Sequence, residues 1–220
     1  MNYSVIFSLA LGVCALSPVA AFAQAGFDCA KASTDTEKAI CSDKDIAEAD
    51  RAMSIAYSAL VERASPDLKE ALRNDQAGFL KQRSEAFESH LSNAAMRLEG
   101  LSYRTEARAE LLNWVSVAES SSLEGNWQNA WGSIKVEKKS PDKLSVQVDV
   151  SDQANGSWIC SFEGVLNQKS AGEAEFESKS GPLILKLDGA ALKIPTPFCD
   201  ESTSGGFGSA AGTYFRVGAE

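Results

Sequence analysis

Apolar residues recur at intervals of three and four through the first half of the chain, from about residue 36 to residue 117. This spacing places them on one face of an α-helix. Residues that favour helix starts interrupt the pattern: Thr34 and Glu37 have capping-box spacing, Asp43 follows Ser42, and Ser65 precedes Pro66. The pattern therefore predicts several helices that pack as an antiparallel hairpin or small bundle.

One boundary in this helical half is less sharply marked. The apolar period that starts after Pro66 continues to Leu101 without a proline. We take Gly100 as the break before a last helix, which is expected to carry Leu111, Leu112, Val115 and Val117.

The second half changes to an alternation of apolar and polar residues, which is typical of half-buried strands and is clearest over residues 143–150. Asn155-Gly156 and Asp188-Gly189 predict tight turns of type I′, which need positive φ at both central residues. Further strands are expected at residues 158–162, 183–187, 191–194 and 212–217. Short strands without intervening helices predict a small antiparallel barrel or sandwich.

The fold class predicted from these two periods is α+β, with two domains. We place a helical domain at residues 26–118, a serine-rich linker at 119–124 and an antiparallel β domain at 125–220.

The first residues predict export. An apolar run over residues 5–15 is too short to span a bilayer, and Ala21-Phe22-Ala23 or Ala23-Gln24-Ala25 provides a signal-peptidase pattern. Residues 1–25 are therefore predicted to be a cleaved secretory signal, despite the absence of Lys and Arg before Val5. Lipidation of Cys14 is disfavoured because Val13 stands where a small residue is required. No later apolar stretch is long enough for a span, so we expect a periplasmic or secreted protein without an integral membrane segment.

Cysteine usage agrees with an oxidising compartment. Beyond the signal, the cysteines form two widely separated pairs, which are Cys29 with Cys41 and Cys160 with Cys199. We expect one disulfide within each half. A zinc site would need closely spaced Cys or His ligands, which this sequence lacks, and we expect neither a metal nor another cofactor.

The net charge of −9 is spread over both halves, −5 over residues 26–122 and −4 over residues 123–220. This distribution argues against nucleic-acid and anionic-membrane partners and would favour encounter with a cationic partner. The charge is equally that of an ordinary soluble acidic protein.

The sequence offers few candidate residues for catalysis. His90 is the one histidine, and no nucleophile elbow, phosphate-binding loop or dinucleotide fingerprint occurs. The 30 acidic residues leave room for a catalytic carboxylate pair, but no spacing singles one out. We therefore expect that the protein is not an enzyme.

Residues 202–212 contain four glycines among small residues. They suit either a flexible connection or a probe that enters a partner's cleft, because small residues let backbone approach closely. The candidate partner-binding residues are Ser204, Gly205, Gly206, Phe207, Ser209, Gly212 and Tyr214.

The segment Phe27-Asp28-Cys29-Ala30-Lys31-Ala32, followed by Glu37-Lys38-Ala39-Ile40-Cys41, resembles the N-terminal domain family of LprI-type lysozyme inhibitors. The resemblance continues through Ile46 to Asp50, Tyr57 and Gln76-x-x-Phe79-x-x-x-Arg83, and covers about residues 26–112. It implies that Cys29 and Cys41 are paired and that the protein inhibits lysozyme. Two positions depart from the family: Phe79 replaces a tryptophan, and Phe87 replaces the first cysteine of a second pair.

Two functional hypotheses follow. The first is a proteinaceous inhibitor of lysozyme or another peptidoglycan hydrolase. A c-type lysozyme is cationic, and the Ser209, Gly212 and Tyr214 segment is similar to the Ser/Gly/Tyr loop of periplasmic c-type lysozyme inhibitors. The second is a non-enzymatic envelope module that binds glycan, such as peptidoglycan, or another envelope protein. Exposed aromatics would serve it as stacking platforms if they are not core residues; the candidates are Trp127, Trp131, Trp158 and Tyr214.

Overall fold

The computed structural model describes residues 25–89, 93–178, 181–199 and 208–218. Over these residues helices come first and strands second, which confirms the predicted α+β arrangement of two domains. Residues 1–24 of the predicted signal segment and His90 lie outside the described residues. None of the described helices is long and apolar enough to cross a membrane.

The described part of the first half has a short 3₁₀ helix at Cys29–Lys31 and four α-helices, which are α1 Asp35–Ser42, α2 Lys44–Arg63, α3 Pro66–Glu88 and α4 Ala94–Trp114. The predicted capping box is present, since the Thr34 side chain accepts from the Glu37 amide and Glu37 accepts from the Thr34 amide. Asp43 caps α2, and Ser65 caps α3 with Pro66 in its first turn. Local side-chain chemistry therefore sets these helix starts.

The predicted break at Gly100 is wrong. α3 ends at Glu88, and α4 runs unbroken through Gly100 to Trp114, so Val115 and Val117 also lie beyond the helix. The N-cap is Asn93, whose side chain accepts from the Met96 amide at 3.0 Å. A glycine inside a helix costs only about 1 kcal/mol relative to alanine, which is too little to stop a helix that is capped and packed.

Eight strands are described in the second half, and each pairs antiparallel with the next until β8 closes on β1. They are β1 Gly125–Asn129, β2 Gly132–Ser140, β3 Lys143–Ser151, β4 Ile159–Ser170, β5 Glu173–Phe176, β6 Leu183–Asp188, β7 Ala191–Ile194 and β8 Gly212–Val217. The sheet is thus a closed up-and-down barrel, not a sandwich. The sequence pattern had not indicated β1, β2 or β5.

Neither predicted turn is of type I′. In the β6–β7 hairpin the central residues are Gly189, with a φ of 59°, and Ala190, which does not have a positive φ. A glycine with positive φ at the first central position alone fits a type II′ turn. Between β3 and β4, the Gly156 amide donates to the Asp152 carbonyl, and the Asp152 side chain accepts from the Ala154 amide. That connection is a longer loop held by an aspartate.

The barrel interior is filled by buried side chains from several strands, which include Trp127, Leu144, Val148, Leu185 and Tyr214. A second apolar cluster joins helices to the barrel, because Leu60 and Leu112 lie in the same buried group as Ala191 and Phe215. The two halves therefore share a core.

The serine-rich linker is fixed to the barrel. The Ser116 amide donates to the Arg216 carbonyl, and the Ser120 amide donates to the Gly189 carbonyl. The Arg216 guanidinium lies 4.7 Å from the centre of the Trp127 ring and donates to the Ser122 carbonyl at 2.7 Å. These bonds hold the helices against the barrel end.

Candidate partner-binding surface

The disulfides lie where the sequence pairs cysteines within each half. Cys29 is bonded to Cys41, which ties the 3₁₀ helix to α1, with Cα atoms 5.8 Å apart. Cys160 in β4 is bonded to Cys199 after β7, with Cα atoms 5.5 Å apart. Both bonds connect structural elements and leave these thiols no role as nucleophiles.

A buried ion pair links α2 to α3. Arg83 Nη1 lies 2.7 Å from Asp50 Oδ1, and the two side chains are only 7% and 3% exposed. The same nitrogen donates to Thr105 Oγ1 on α4 at 3.3 Å, and Asp50 Oδ2 accepts from the Gly26 amide at 3.0 Å. This pair fixes three helices and the N-terminal segment in one arrangement.

A second buried pair connects α3 and α4 to the barrel. Arg108 Nη2 lies 2.7 Å from Asp75 Oδ2, and its Nε donates to Gln76. The other Asp75 oxygen accepts from the Ala130 amide in the β1–β2 turn at 2.7 Å. Both guanidinium groups lie near the Phe79 ring, that of Arg83 at 5.8 Å and that of Arg108 at 5.2 Å from the ring centre.

An exposed apolar line runs along α4. Met96, Tyr103 and Trp114 are 59%, 72% and 59% exposed, although large apolar side chains usually lie inside. At 3.6 residues per turn they fall within about 20° of one line and span about 27 Å of the helix. We call these three residues the α4 ridge.

The charged side chains of α4 that are fully exposed have one sign. Glu99, Glu106 and Glu110 are exposed, and they lie about 40–80° around the helix from the α4 ridge. The arginines of α4 are drawn inward: Arg97 and Arg104 are half-buried, and Arg108 is buried. We call the three glutamates the glutamate row.

A groove separates α4 from strand β1. Two adjoining hollows of about 470 and 390 Å³ share Ala107, Leu111 and Gln128 in their walls. Tyr103 stands at one hollow and Trp114 at the other. The groove thus has aromatic rims and a barrel wall that includes amide side chains, which suits recognition of another molecule.

A model of the family described as "Lysozyme inhibitor LprI" matches residues 29–113 of the chain. The helical half matches the LprI family. The match begins at Cys29 and ends one residue before the end of α4, so the whole barrel lies outside it. No curated protein and no solved structure matches the chain.

Inside the LprI-matching region, the residues that carry the resemblance serve the architecture. Cys29 and Cys41 form the disulfide, Asp50 and Arg83 form the buried pair, and Gln76 binds Arg108. These side chains are largely buried and do not form a surface. Met96 and Tyr103 of the α4 ridge also lie in the matching region. Neither side chain belongs to the disulfide or to the buried ion pairs.

Outside the LprI-matching region, the predicted partner-binding loop is only partly described. Ser204, Gly205, Gly206 and Phe207 lie outside the described residues. Ser209 Oγ accepts from the amides of Phe198 and Ala211. Gly212 starts β8 with a φ of 153°. These placements give Ser209 and Gly212 roles in the barrel, and a contact with a partner stays a prediction for the loop.

Tyr214 lies inside the barrel and is 1% exposed. Its hydroxyl donates to the Ala210 carbonyl at 2.7 Å. Burial raises the pKa of this phenol well above its usual value, because the ionised form would lose its hydration. The side chain is therefore a core residue and not an exposed contact or stacking platform.

The predicted tryptophan platforms are also mainly structural. Trp127 is fully buried, and its indole nitrogen donates to the Leu123 carbonyl. Trp131 and Trp158 are half-buried and stack with ring centres 5.9 Å apart. Trp114, for which the sequence pattern indicates no function, is the most exposed tryptophan among the described residues. The sequence feature that could have indicated its exposure is the presence of large apolar residues on two faces of one helix.

No group of three or more His, Cys, Asp or Glu side chains that could hold a metal ion is found among the described residues.

Proposed function

We propose that this protein inhibits a lysozyme or another peptidoglycan hydrolase by binding it. The observation that carries this proposal is the match of residues 29–113 to the family of the lysozyme inhibitor LprI. The protein would act as a stoichiometric binding partner and not as a catalyst.

A periplasmic or secreted location is part of this proposal. Two disulfides suit a periplasmic or secreted protein, because cytosolic thiols are kept reduced. The net charge of −9 would also speed encounter with a cationic lysozyme.

The direct test is lysis of a bacterial cell-wall suspension by c-type lysozyme, followed as loss of turbidity. We expect the chain from residue 26 onward to stop lysis at near-equimolar amounts. An unrelated acidic protein of the same net charge, at the same concentration, controls for nonspecific capture of a basic enzyme. Normal lysis at a large molar excess of the chain would contradict the proposal.

The assay needs the full chain instead of separate halves. Leu60 and Leu112 pack with Ala191 and Phe215 in one buried cluster. Cutting at the linker would expose this apolar surface, so loss of inhibition by an isolated half would not locate the binding surface. Point variants of exposed residues are the better tool.

A second candidate function is supported by the groove between α4 and β1. Aromatic side chains at Tyr103 and Trp114, with amides at Asn126 and Gln128, are groups that recognise sugars. An envelope module that binds glycan would be retained on purified peptidoglycan but would not bind lysozyme. A pull-down on peptidoglycan alongside the lysis assay therefore separates the two functions.

A further inference from the structure

The α4 ridge has the composition of a protein-binding centre. Tyrosine and tryptophan are enriched at the interface positions where substitution by alanine weakens binding most. Methionine is flexible and adapts to irregular partner surfaces. Six large apolar side chains are exposed among the described residues, and three of them lie on this one line. The others, Ile55, Leu80 and Ile159, are single residues on α2, α3 and β4.

The position of the α4 ridge follows from how the helix packs. Leu101, Thr105, Arg108 and Leu112 are buried. These positions lie about 120–180° around the helix from the α4 ridge. The buried pair Arg108–Asp75 further fixes the helix against α3, so the exposed side chains are presented by a held element. A surface built on a fixed helix binds at a lower ordering cost than a flexible segment does.

The glutamate row decides which partner this surface fits. Glu99, Glu106 and Glu110 are exposed beside the α4 ridge, whereas Arg97 and Arg104 are half-buried and Arg108 is buried. An apolar centre with a rim of negative charge is complementary to an apolar patch with a basic rim. A second copy of this acidic chain would bring like charges together, which disfavours self-association.

We propose that the α4 ridge and the glutamate row form the surface that docks a basic protein, namely the cationic hydrolase of the proposed function. This inference rests on that proposed function and adds where the partner is bound. The aromatic side chains contribute most of the affinity, and the glutamates steer the approach and set its dependence on salt. The barrel supports the helix and forms the far wall of the groove.

The test measures binding of the chain from residue 26 onward to c-type lysozyme by biolayer interferometry, together with the lysis assay. We expect Tyr103→Ala and Trp114→Ala each to weaken binding at least about tenfold, mainly through faster dissociation. The triple variant Glu99→Gln, Glu106→Gln, Glu110→Gln should slow association several-fold and flatten its dependence on salt.

Matched controls lie elsewhere on the surface. Ile55→Ala removes an equally exposed apolar side chain from α2, which is 59% exposed in the structure. The triple variant Glu62→Gln, Glu70→Gln, Glu163→Gln removes the same charge from exposed positions on α2, α3 and β4. Both controls should bind like the wild-type chain. Thermal unfolding of every variant establishes that the fold is kept.

Each alternative result would contradict either the docking surface, the proposed function or the identity of the partner. Inhibition by wild type that is unchanged in the ridge variants overturns this inference and leaves the proposed function in place. A wild-type chain that neither binds nor inhibits lysozyme overturns the proposed function and this partner with it. A wild-type dimer in sedimentation that Trp114→Ala dissociates would make a second copy the occupant. Loss of peptidoglycan retention, with lysozyme binding intact, would make the α4 ridge a glycan platform.

Discussion

The buried pair Asp50–Arg83 gives the sharpest stability prediction. Replacing Arg83 with methionine keeps much of its apolar stem but leaves the Asp50 carboxylate, which is 3% exposed, without its cation. The Gly26 amide at 3.0 Å is then the remaining donor to Asp50 among those found in the structure. In a chain that keeps Ala25, this donor is a neutral amide, which cannot replace a guanidinium at 2.7 Å.

The expected loss is about 3–5 kcal/mol, the usual effect of removing one partner from a buried pair. This is a large share of the 5–15 kcal/mol by which domains are typically stable. The double variant Asp50→Leu, Arg83→Met should lose less than the sum of the two single losses, because it leaves no buried charge unpaired. The exposed pair Lys44–Glu48, with side chains 69% and 56% exposed, is the control. Lys44→Met should cost no more than about 0.5 kcal/mol.

The assay is guanidinium unfolding followed by far-ultraviolet circular dichroism for the helices and by tryptophan fluorescence for the barrel. Because the halves share a buried cluster, we expect both signals to change at lower denaturant in Arg83→Met. A loss below about 1 kcal/mol would refute the view that the pair is buried in solution. A double variant that loses more than the summed singles would refute the charge argument itself.

Four further predictions concern single positions. Gly26→Ala should destabilise the chain, since an added Cβ would lie 1.9 Å from Ser54 Oγ, and Ser54→Gly should recover part of the loss in denaturant melts. Gly100→Ala should raise the free energy of unfolding by about 1 kcal/mol, because an added Cβ meets nothing within 4 Å and alanine favours helix. Amide and hydroxyl donors lower the pKa of Glu37 to about 2, so the stability it contributes is present above its ordinary pKa of 4.5 and falls as the pH drops from there toward 2; Glu37→Gln should remove this dependence in melts across that range. Burial raises the pKa of Tyr214, so stability should fall as the pH rises above about 10, and Tyr214→Phe should remove this loss in alkaline melts.

The sequence predicted the helices better than the strands, for a physical reason. Helix starts have local chemistry, such as the Thr34–Glu37 box and the Ser65–Pro66 pair, and these interactions form as expected. β2 has apolar residues only at Ile134 and Val136 and then turns lysine-rich, and β5 is four residues long. Such strands are fixed by pairing with neighbours in the closed barrel, which a single-chain pattern does not contain.

The type of a turn also depends on strand pairing that the local sequence does not contain. Asp188-Gly189 correctly marks a hairpin, but the strand register makes Asp188 the last residue of β6 and moves the central pair to Gly189 and Ala190. The register depends on which residues of β6 and β7 face the core. A dipeptide signal therefore locates a turn without fixing its type.

The α4 ridge could not be predicted from the sequence, because the apolar residues of α4 lie on two faces of the helix instead of one. Leu101 and Leu112 point to the core, whereas Tyr103 and Trp114 point to solvent. The sequence alone cannot say which face is covered, since that depends on which side of the helix packs against its neighbours. One helix cannot bury both faces against a single layer, so the surplus apolar face is itself a sign of a partner. We therefore place the partner contact on the outer face of α4, because Tyr214 of β8, one of the predicted contact residues, lies in the core.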